Sequence, residues 1–82
     1  MNKILVEVYV PVLNNHFDVY LPLTSKVYEI KILLVRALED MTAGYFISHE
    51  NVICDRHTGE VLDINKSVLD LELINGSKLM LI

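Results

Sequence analysis

The residues best suited to chemistry lie close together in the second half of the chain. Cys54, Asp55 and His57 fall within the stretch "ICDRHTG", and His49 comes shortly before it. A cysteine becomes a nucleophile when a nearby base takes its proton and a positive environment lowers its pKa. Zinc also binds cysteine and histidine, but even an open catalytic site takes three protein ligands. One cysteine and one or two neighbouring histidines are too few for such a site within one chain.

The expected positions of these residues argue against catalysis. Alternation in "NVICD" places Ile53 outward and Cys54 towards the core, where a lone cysteine behaves as a small apolar residue. His57 falls in an exposed turn, and His16 lies far away at a hairpin tip. None of the common nucleotide-binding, hydrolase or zinc-protease motifs is present. We therefore predict that the protein is not an enzyme and has no catalytic residues, cofactor or bound metal.

The composition of the chain narrows the class of protein to which it can belong. The chain has 82 residues, which is enough for a single domain over 1–82, and 52% of them are hydrophobic. The formal net charge is -4 and the basic residues are scattered, which argues against nucleic acid as a partner. No apolar run reaches the roughly 18 residues needed for stable membrane insertion. A single cysteine fits a reducing compartment, so we expect a cytoplasmic protein.

Two alternating segments predict a β-hairpin. In "ILVEVYV" (4–10) the apolar side chains occupy alternate positions, and "FDVYL" (17–21) repeats the pattern. Pro11 and Pro22 end the two strands, since proline cannot donate a hydrogen bond to a neighbouring strand. Asn14-Asn15 tolerates the left-handed backbone that a tight hairpin turn requires.

The next segment changes to helical periodicity. "TSKVYEIKILLVRALEDM" begins with Thr24 and Ser25, either of which can cap a helix, and we predict a helix over about 25–41. Six apolar residues recur at helical spacing and should pack on the sheet. They are Val27, Ile30, Leu34, Ala37, Leu38 and Met41.

The same helix carries additional apolar side chains beside this stripe. At about 100° per residue, Tyr28, Ile32 and Val35 lie on a flank outside the main core face. Large apolar patches are seldom left bare, so either an additional loop covers this flank or a partner binds there. Both interpretations are compatible with the sequence.

The segment "TAGYFISHE" (42–50) is the hardest to interpret. Gly44 is expected to end the helix. Tyr45, Phe46 and Ile47 are too apolar for a free loop, so they should either tuck under the helix or cover its flank. The sequence does not decide between these roles.

Shorter elements complete the chain. We predict a strand at 51–55, a short returning strand at 60–62 and a last strand at 78–82. Ser67 and Asp70 have the spacing of a capping box, which favours one helical turn there. The resulting α+β plan is a mixed sheet of four to five strands with one long helix across one face. The last strand should lie in the middle of the sheet, parallel to the first, which explains why it is so apolar.

The residues also resemble a known family. The segment "SVLDLELINGSKLMLI" resembles the C-terminal signature of ubiquitin-like proteins, and "SKVYEIKILL" is similar to the helix of that fold. The stretch "FDVYLPLTSKVYEI" resembles the approach to the helix in the bacterial YukD/EsaB-like proteins encoded in type VII secretion operons. The resemblance implies a ubiquitin-like β-grasp. The positions that carry it are Ser67, Asp70, Leu73, Leu79 and Leu81 near the end, with Val27, Ile30 and Leu34 in the helix.

The resemblance also implies a function. Ubiquitin and the sulfur carriers of similar fold continue past the last strand into a tail that ends Gly-Gly, whereas this sequence ends at Ile82. We therefore expect neither conjugation nor sulfur carriage. The expected function is a non-catalytic protein-interaction module, a cytoplasmic accessory or regulator of a type VII (ESX-like) secretion system. The alternatives are an adaptor domain of an unrelated bacterial system and, less favoured, a carrier or small enzyme.

The expected partner is a protein, either a component of the secretion machinery or a second copy of the chain. If the strands alternate as predicted, Ile53, Met80 and Ile82 point away from the helix on neighbouring strands. Val12 and Leu13 at the hairpin edge the same region. By resemblance, this patch corresponds to the apolar surface through which ubiquitin is recognised. A second candidate surface is the helix flank described above, which consists of Tyr28, Ile32 and Val35.

Overall fold

The computed structural model describes residues 2–44, 46 and 50–82. Four strands and one α-helix form the frame, and a short 3₁₀ helix joins the first two strands. In chain order the elements are β1 (Lys3–Val10), the 3₁₀ helix (Pro11–Leu13), β2 (Asn15–Pro22), α1 (Val27–Met41), β3 (Ile53–Asp55) and β4 (Lys78–Leu81).

The predicted hairpin is confirmed. β1 and β2 pair antiparallel along their full lengths, from Lys3 opposite Pro22 to Val10 opposite Asn15. The side chains of β1 alternate as the sequence indicates, and every second one is buried beneath α1. The turn is tighter than a simple loop, because Pro11 starts a 3₁₀ turn and Asn14 adopts the left-handed backbone with φ of 48°.

The sheet has the order β2-β1-β4-β3, so β4 lies in the middle beside β1. β4 runs parallel to β1 and antiparallel to β3. The predicted mixed sheet with a central last strand is therefore confirmed, with four strands. The expected strand at 60–62 is reduced to a single bridge between Val61 and Cys54, although Leu62 N–H also donates to the carbonyl of Ile53.

The start of the helix differs from the prediction. α1 begins at Val27, after Lys26, and neither Thr24 nor Ser25 caps it. The loop at 64–66 takes over this role, because Val27 and Tyr28 donate their N–H groups to backbone carbonyls of that loop. In addition, the Glu29 carboxylate accepts the N–H of Lys26 at 3.0 Å. Tertiary contacts thus satisfy the donors that local caps usually satisfy.

The core-facing stripe of α1 is only partly as predicted. Val27, Ile30 and Leu38 are buried, but Leu34 is half-buried and the end of the stripe at Met41 is 63% exposed. The reason is that β2 forms the edge of the sheet and α1 does not close over it. An open groove therefore runs between the helix and this strand.

Two turns near the end of the chain are held by side chains. Ser67 and Asp70 exchange the reciprocal hydrogen bonds expected from their spacing, but they form a hydrogen-bonded turn instead of a helix. The Asn75-Gly76 turn docks on β1, where both residues bond the backbone of Leu5. These contacts fix the approach of β4 to the centre of the sheet.

The helix ends at Met41, as predicted, but Gly44 is not the residue that ends it. Thr42 is the C-cap and Ala43 follows it in the left-handed conformation at φ of 53°, with Gly44 next at φ of 84°. Phe46 is buried in the core, and its N–H donates to the Thr42 hydroxyl at 2.8 Å. The parts of the prediction that concern Tyr45 and Ile47 lie outside the described residues. Within the described ranges, no helix has the length and apolar character needed to cross a membrane.

Candidate protein-binding surface

The sheet face that points away from α1 is one of the two predicted binding surfaces. On this face Tyr9, Met80 and Cys54 lie side by side on three neighbouring strands, since they are direct partners in the two ladders. Met80 is half-buried there. Its predicted outward orientation is confirmed.

The orientation predicted for Ile53 is wrong. Ile53 lies opposite Leu81, and both are buried in the core beneath α1. A one-residue change of register moves a side chain to the other face of a sheet. Cys54, expected to face the helix, is therefore the residue on the open face. Because Ile53 is 3% exposed, it cannot be part of a protein-binding surface in the folded chain.

Cys54 is buried although it lies on the open face. In the ladder it is flanked by Met80 on one side and by Val61 on the other. Its thiol donates to the Met80 carbonyl at 3.7 Å. Burial raises the pKa of the Cys54 thiol, and the adjacent Asp55 carboxylate raises it further. These conditions are the reverse of those that activate a cysteine nucleophile.

Asp55 and His57, the next candidates for chemistry, belong to the turn that follows β3. The Asp55 carboxylate accepts the backbone N–H groups of His57 at 2.8 Å and Thr58 at 3.0 Å. The N–H groups of Thr58 and then His57 hold the pKa of Asp55 below its ordinary value. His57 is exposed, and His49 lies outside the described residues. Among the described residues no group of three potential metal ligands comes together.

A polar network that sequence reasoning missed occupies the middle of the open face. The Arg56 guanidinium lies 4.5 Å from the centre of the Tyr9 ring and bonds Glu7 at 2.8 Å. This stacked ion pair covers apolar surface that would otherwise enlarge the patch around Met80. Arg56 lies in a turn, where side-chain periodicity gives no signal about its direction.

Two of the predicted binding residues meet at the hairpin end of the sheet. There Val12 is 77% exposed and Ile82 is 51% exposed, and both line the same groove of about 330 Å³. The structure thus brings together two of the predicted binding residues from opposite ends of the chain. The other described residues that line the groove are Pro11, Phe46, Glu50, Asn51 and Leu81.

Leu13, the other hairpin residue predicted to bind a partner, makes a smaller contribution to the surface. Its side chain is half-buried and packs against the core. The 3₁₀ turn explains the difference, since it directs Val12 outward and Leu13 back towards the sheet. Pro11 and Phe46 were not predicted as site residues. The sequence indicates Pro11 only as a strand end, and Phe46 has no periodic neighbours that indicate its position.

The predicted helix flank is exposed at two of its three residues. Tyr28 is 44% exposed and Ile32 is 54% exposed, but Val35 is half-buried and packs against the core. Ile32 and Val35 line a shallow groove together with three charged residues. No described residue of the 42–50 segment is among those that line this groove. The charged residues are Lys31, Arg36 and Glu39.

Comparisons with known proteins support the fold. No model of a known family matches this chain, and no curated protein matches it. Solved structures do match, among them the ubiquitin-like domain of EccD5 from Mycobacterium xenopi. That match has a TM-score of 0.82 at 15% identity, and it covers 100% of this chain and 94% of the other. The fold is therefore a ubiquitin-like β-grasp.

Two further structures show how widely this fold is used. One is a chain of the MycP5-free ESX-5 inner membrane complex, with a TM-score of 0.81 and 13% identity. It covers 100% of this chain, which spans 21% of that one. The other is a chain of a toluene 4-monooxygenase complex, with a TM-score of 0.79 and 7% identity, covering 96% of this chain and 95% of that one. At such identities the likeness establishes fold alone.

Proposed function

We propose that the chain is a non-catalytic protein-interaction module that acts as a cytoplasmic accessory or regulator of a type VII (ESX-like) secretion system. The observation that carries this proposal is the apolar groove at the hairpin end, where Val12 and Ile82 are largely exposed. Exposed apolar groups grouped around a concave surface favour association with another protein. The groove has few charged groups, which fits a protein partner better than a small anionic ligand.

Two observations support the link to secretion. The sequence resembles the YukD/EsaB-like proteins of type VII operons, and the fold matches the ubiquitin-like domain of EccD5. A chain of the ESX-5 inner membrane complex contains a region of the same fold. Fold likeness at this identity is an analogy, so the secretion role depends on the experiment below.

The runner-up is an adaptor domain of an unrelated bacterial system, which the same groove would serve equally well. A carrier or small enzyme is the less favoured alternative, and burial of Cys54 with its raised pKa argues against a cysteine enzyme. Genomic neighbourhood separates these possibilities: secretion ATPase genes beside this gene favour the proposal, whereas genes for adenylating enzymes favour a carrier.

The direct test is to delete the gene in the organism that encodes it and measure export of its ESX-type substrates. We expect reduced export, restored by the wild-type chain but not by a Val12→Asp/Ile82→Asp double variant. The control is Ile74→Asp, since Ile74 is 68% exposed and is not among the residues that line the groove. Unchanged export after deletion would refute the role in secretion, while leaving open an adaptor role elsewhere.

A further inference from the structure

The turn that leads into the central strand β4 contains a pair of residues prone to a spontaneous covalent reaction. Asn75 is followed by Gly76, and it is the only asparagine of the sequence with glycine after it. In such a pair the glycine nitrogen can attack the asparagine side-chain amide, because glycine has no side chain to hinder a close approach. Both residues are exposed and line an open groove on the sheet face, so water reaches them.

Both reacting groups are bonded to a single residue of β1. The side-chain oxygen of Asn75 accepts the N–H of Leu5 at 2.8 Å, and the N–H of Gly76 donates to the Leu5 carbonyl at 2.8 Å. The ladder between β1 and β4 begins with Glu7 opposite Lys78, so these two bonds extend the pairing beyond the start of β4. Leu5 thereby fixes the orientation of the Asn75 amide and retains the proton that the Gly76 nitrogen must lose before it can attack.

Two further hydrogen bonds close the turn around this pair. Ile74 donates its N–H to the Ser77 hydroxyl at 2.9 Å, and Ser77 donates its N–H to the Ile74 carbonyl at 3.0 Å. They limit how far the backbone between them can rotate. The turn lies at the end of the β1–β4 ladder, and the ends of such elements open more easily than the core. Opening of the turn alone is therefore enough to free the Asn-Gly pair.

We propose that Asn75 is a site of spontaneous deamidation whose rate is set by how often the turn opens away from Leu5. In the open turn the Gly76 nitrogen loses its proton and forms a bond to Cγ of Asn75. The Cγ–Nδ2 bond breaks, and the side-chain nitrogen leaves with that proton as ammonia, which gives a five-membered succinimide. Water then opens the ring at either of its two carbonyl carbons. One product is aspartate, and the other is isoaspartate, in which the main chain runs through the former side-chain carbonyl.

The two products have different effects on the turn. Aspartate at position 75 keeps a side-chain oxygen that accepts the N–H of Leu5, so the turn still docks on β1. Isoaspartate adds one carbon atom to the main chain. The extra atom shifts Gly76 relative to Leu5, so the two bonds to Leu5 no longer form together. Deamidation to isoaspartate therefore loosens the turn that positions β4, and the change is irreversible.

The test incubates the purified chain at mildly alkaline pH, with and without urea, and follows each asparagine by peptide mapping with mass spectrometry. Asn75 should convert first in both samples. Its conversion should be at least about tenfold slower in the native protein, because a reaction through an open form is slowed by the fraction of molecules that are open. Ser77→Ala removes the acceptor of the Ile74 N–H, so it should speed up conversion of the native protein and leave the rate in urea unchanged. Ser67→Ala is the matched control, because it removes a hydroxyl hydrogen bond in another turn and should leave the native rate at Asn75 unchanged.

Amide hydrogen exchange tests the effect of the two products. The N–H of Leu5 should exchange at similar rates in the wild type and in Asn75→Asp, and clearly faster in Asn75→Ala and in the purified isoaspartate form. Equal conversion with and without urea would overturn the protection by Leu5, and earlier conversion of another asparagine would overturn the site. An unchanged native rate in Ser77→Ala would overturn the opening route. Slow exchange at Leu5 in the isoaspartate form would overturn the loosening of the turn.

Discussion

Ile53 lies directly opposite Leu81 in the β3–β4 ladder, and both side chains are buried beneath α1. This pairing makes Ile53 a core residue although β3 is only three residues long. Ile53→Ala should therefore lower the free energy of unfolding by about 2–5 kcal/mol, the usual cost of truncating a buried isoleucine. Urea denaturation of the variant and the wild type measures this change in the free energy of unfolding. The matched control Ile74→Ala, at an exposed position, should change stability by less than about 0.5 kcal/mol.

Burial along α1 predicts an order of mutational effects. Leu38 is 4% exposed, whereas Leu34 borders the open groove beside β2 and is only half-buried. Leu38→Ala should cost about 2–5 kcal/mol, and Leu34→Ala should cost clearly less. Thermal or urea melts of the two variants compare them directly. If Leu34→Ala proved the more damaging, α1 would have to sit closer to β2 than described.

Burial of the Cys54 thiol predicts that it reacts slowly with thiol reagents. Since the pKa of Cys54 is raised and its side chain is 1% exposed, an aromatic disulfide reagent should react slowly with the native protein at neutral pH. The rate should rise steeply in urea, where the thiol becomes accessible. Cys54→Ala should retain any binding function provided that circular dichroism shows an intact fold. Fast native-state reaction would indicate an exposed thiolate and revive an enzymatic role.

The lowered pKa values of two carboxyl groups in turns predict how the stability of the fold depends on pH. Backbone N–H groups of Thr58 and His57 lower the pKa of Asp55, and the Ser67 N–H followed by its hydroxyl lowers that of Asp70, both below the ordinary value of an aspartate. A carboxyl group whose pKa is lower when folded stabilises the protein above its unfolded-state pKa. That contribution is complete above about pH 5 and is lost as the pH falls through the folded-state values.

The measurement is the free energy of unfolding between pH 5 and pH 2, in the wild type and in an Asp55→Asn/Asp70→Asn double variant. Asparagine keeps the accepting oxygen but cannot ionise, so the variant should show a flatter acid dependence. Parallel curves for the two proteins would show that other carboxylates govern acid stability.

The sequence predicted the frame of the fold because its strongest signals are periodic. The alternation in β1, the helical spacing from Val27 to Leu38 and the apolar final strand each follow from one buried face. The register of β3 could not be predicted in the same way. Val52, Ile53 and Cys54 are apolar in succession, so alternation does not indicate which of them faces the helix.

The candidate surface was predicted in part for a related reason. Val12 and Ile82 are apolar residues at the ends of strands, and the sheet order that follows from the fold brings them together. Phe46 and Arg56 lie in irregular segments, where the direction of a side chain depends on tertiary contacts. The open groove beside β2 depends on how far α1 extends over the sheet edge, and periodicity contains no information about that distance.

The Val12–Ile82 groove is the surface at which we expect the partner protein to bind. The most direct measurement is the affinity of a purified partner for the wild type, for Val12→Asp/Ile82→Asp and for the control Ile74→Asp, with circular dichroism to verify folding. Truncating or charging such contacts typically costs about 1–3 kcal/mol each, so the double variant should bind well over tenfold more weakly while the control binds normally. Normal binding by a folded double variant would contradict the claim and direct attention to the helix flank at Tyr28 and Ile32.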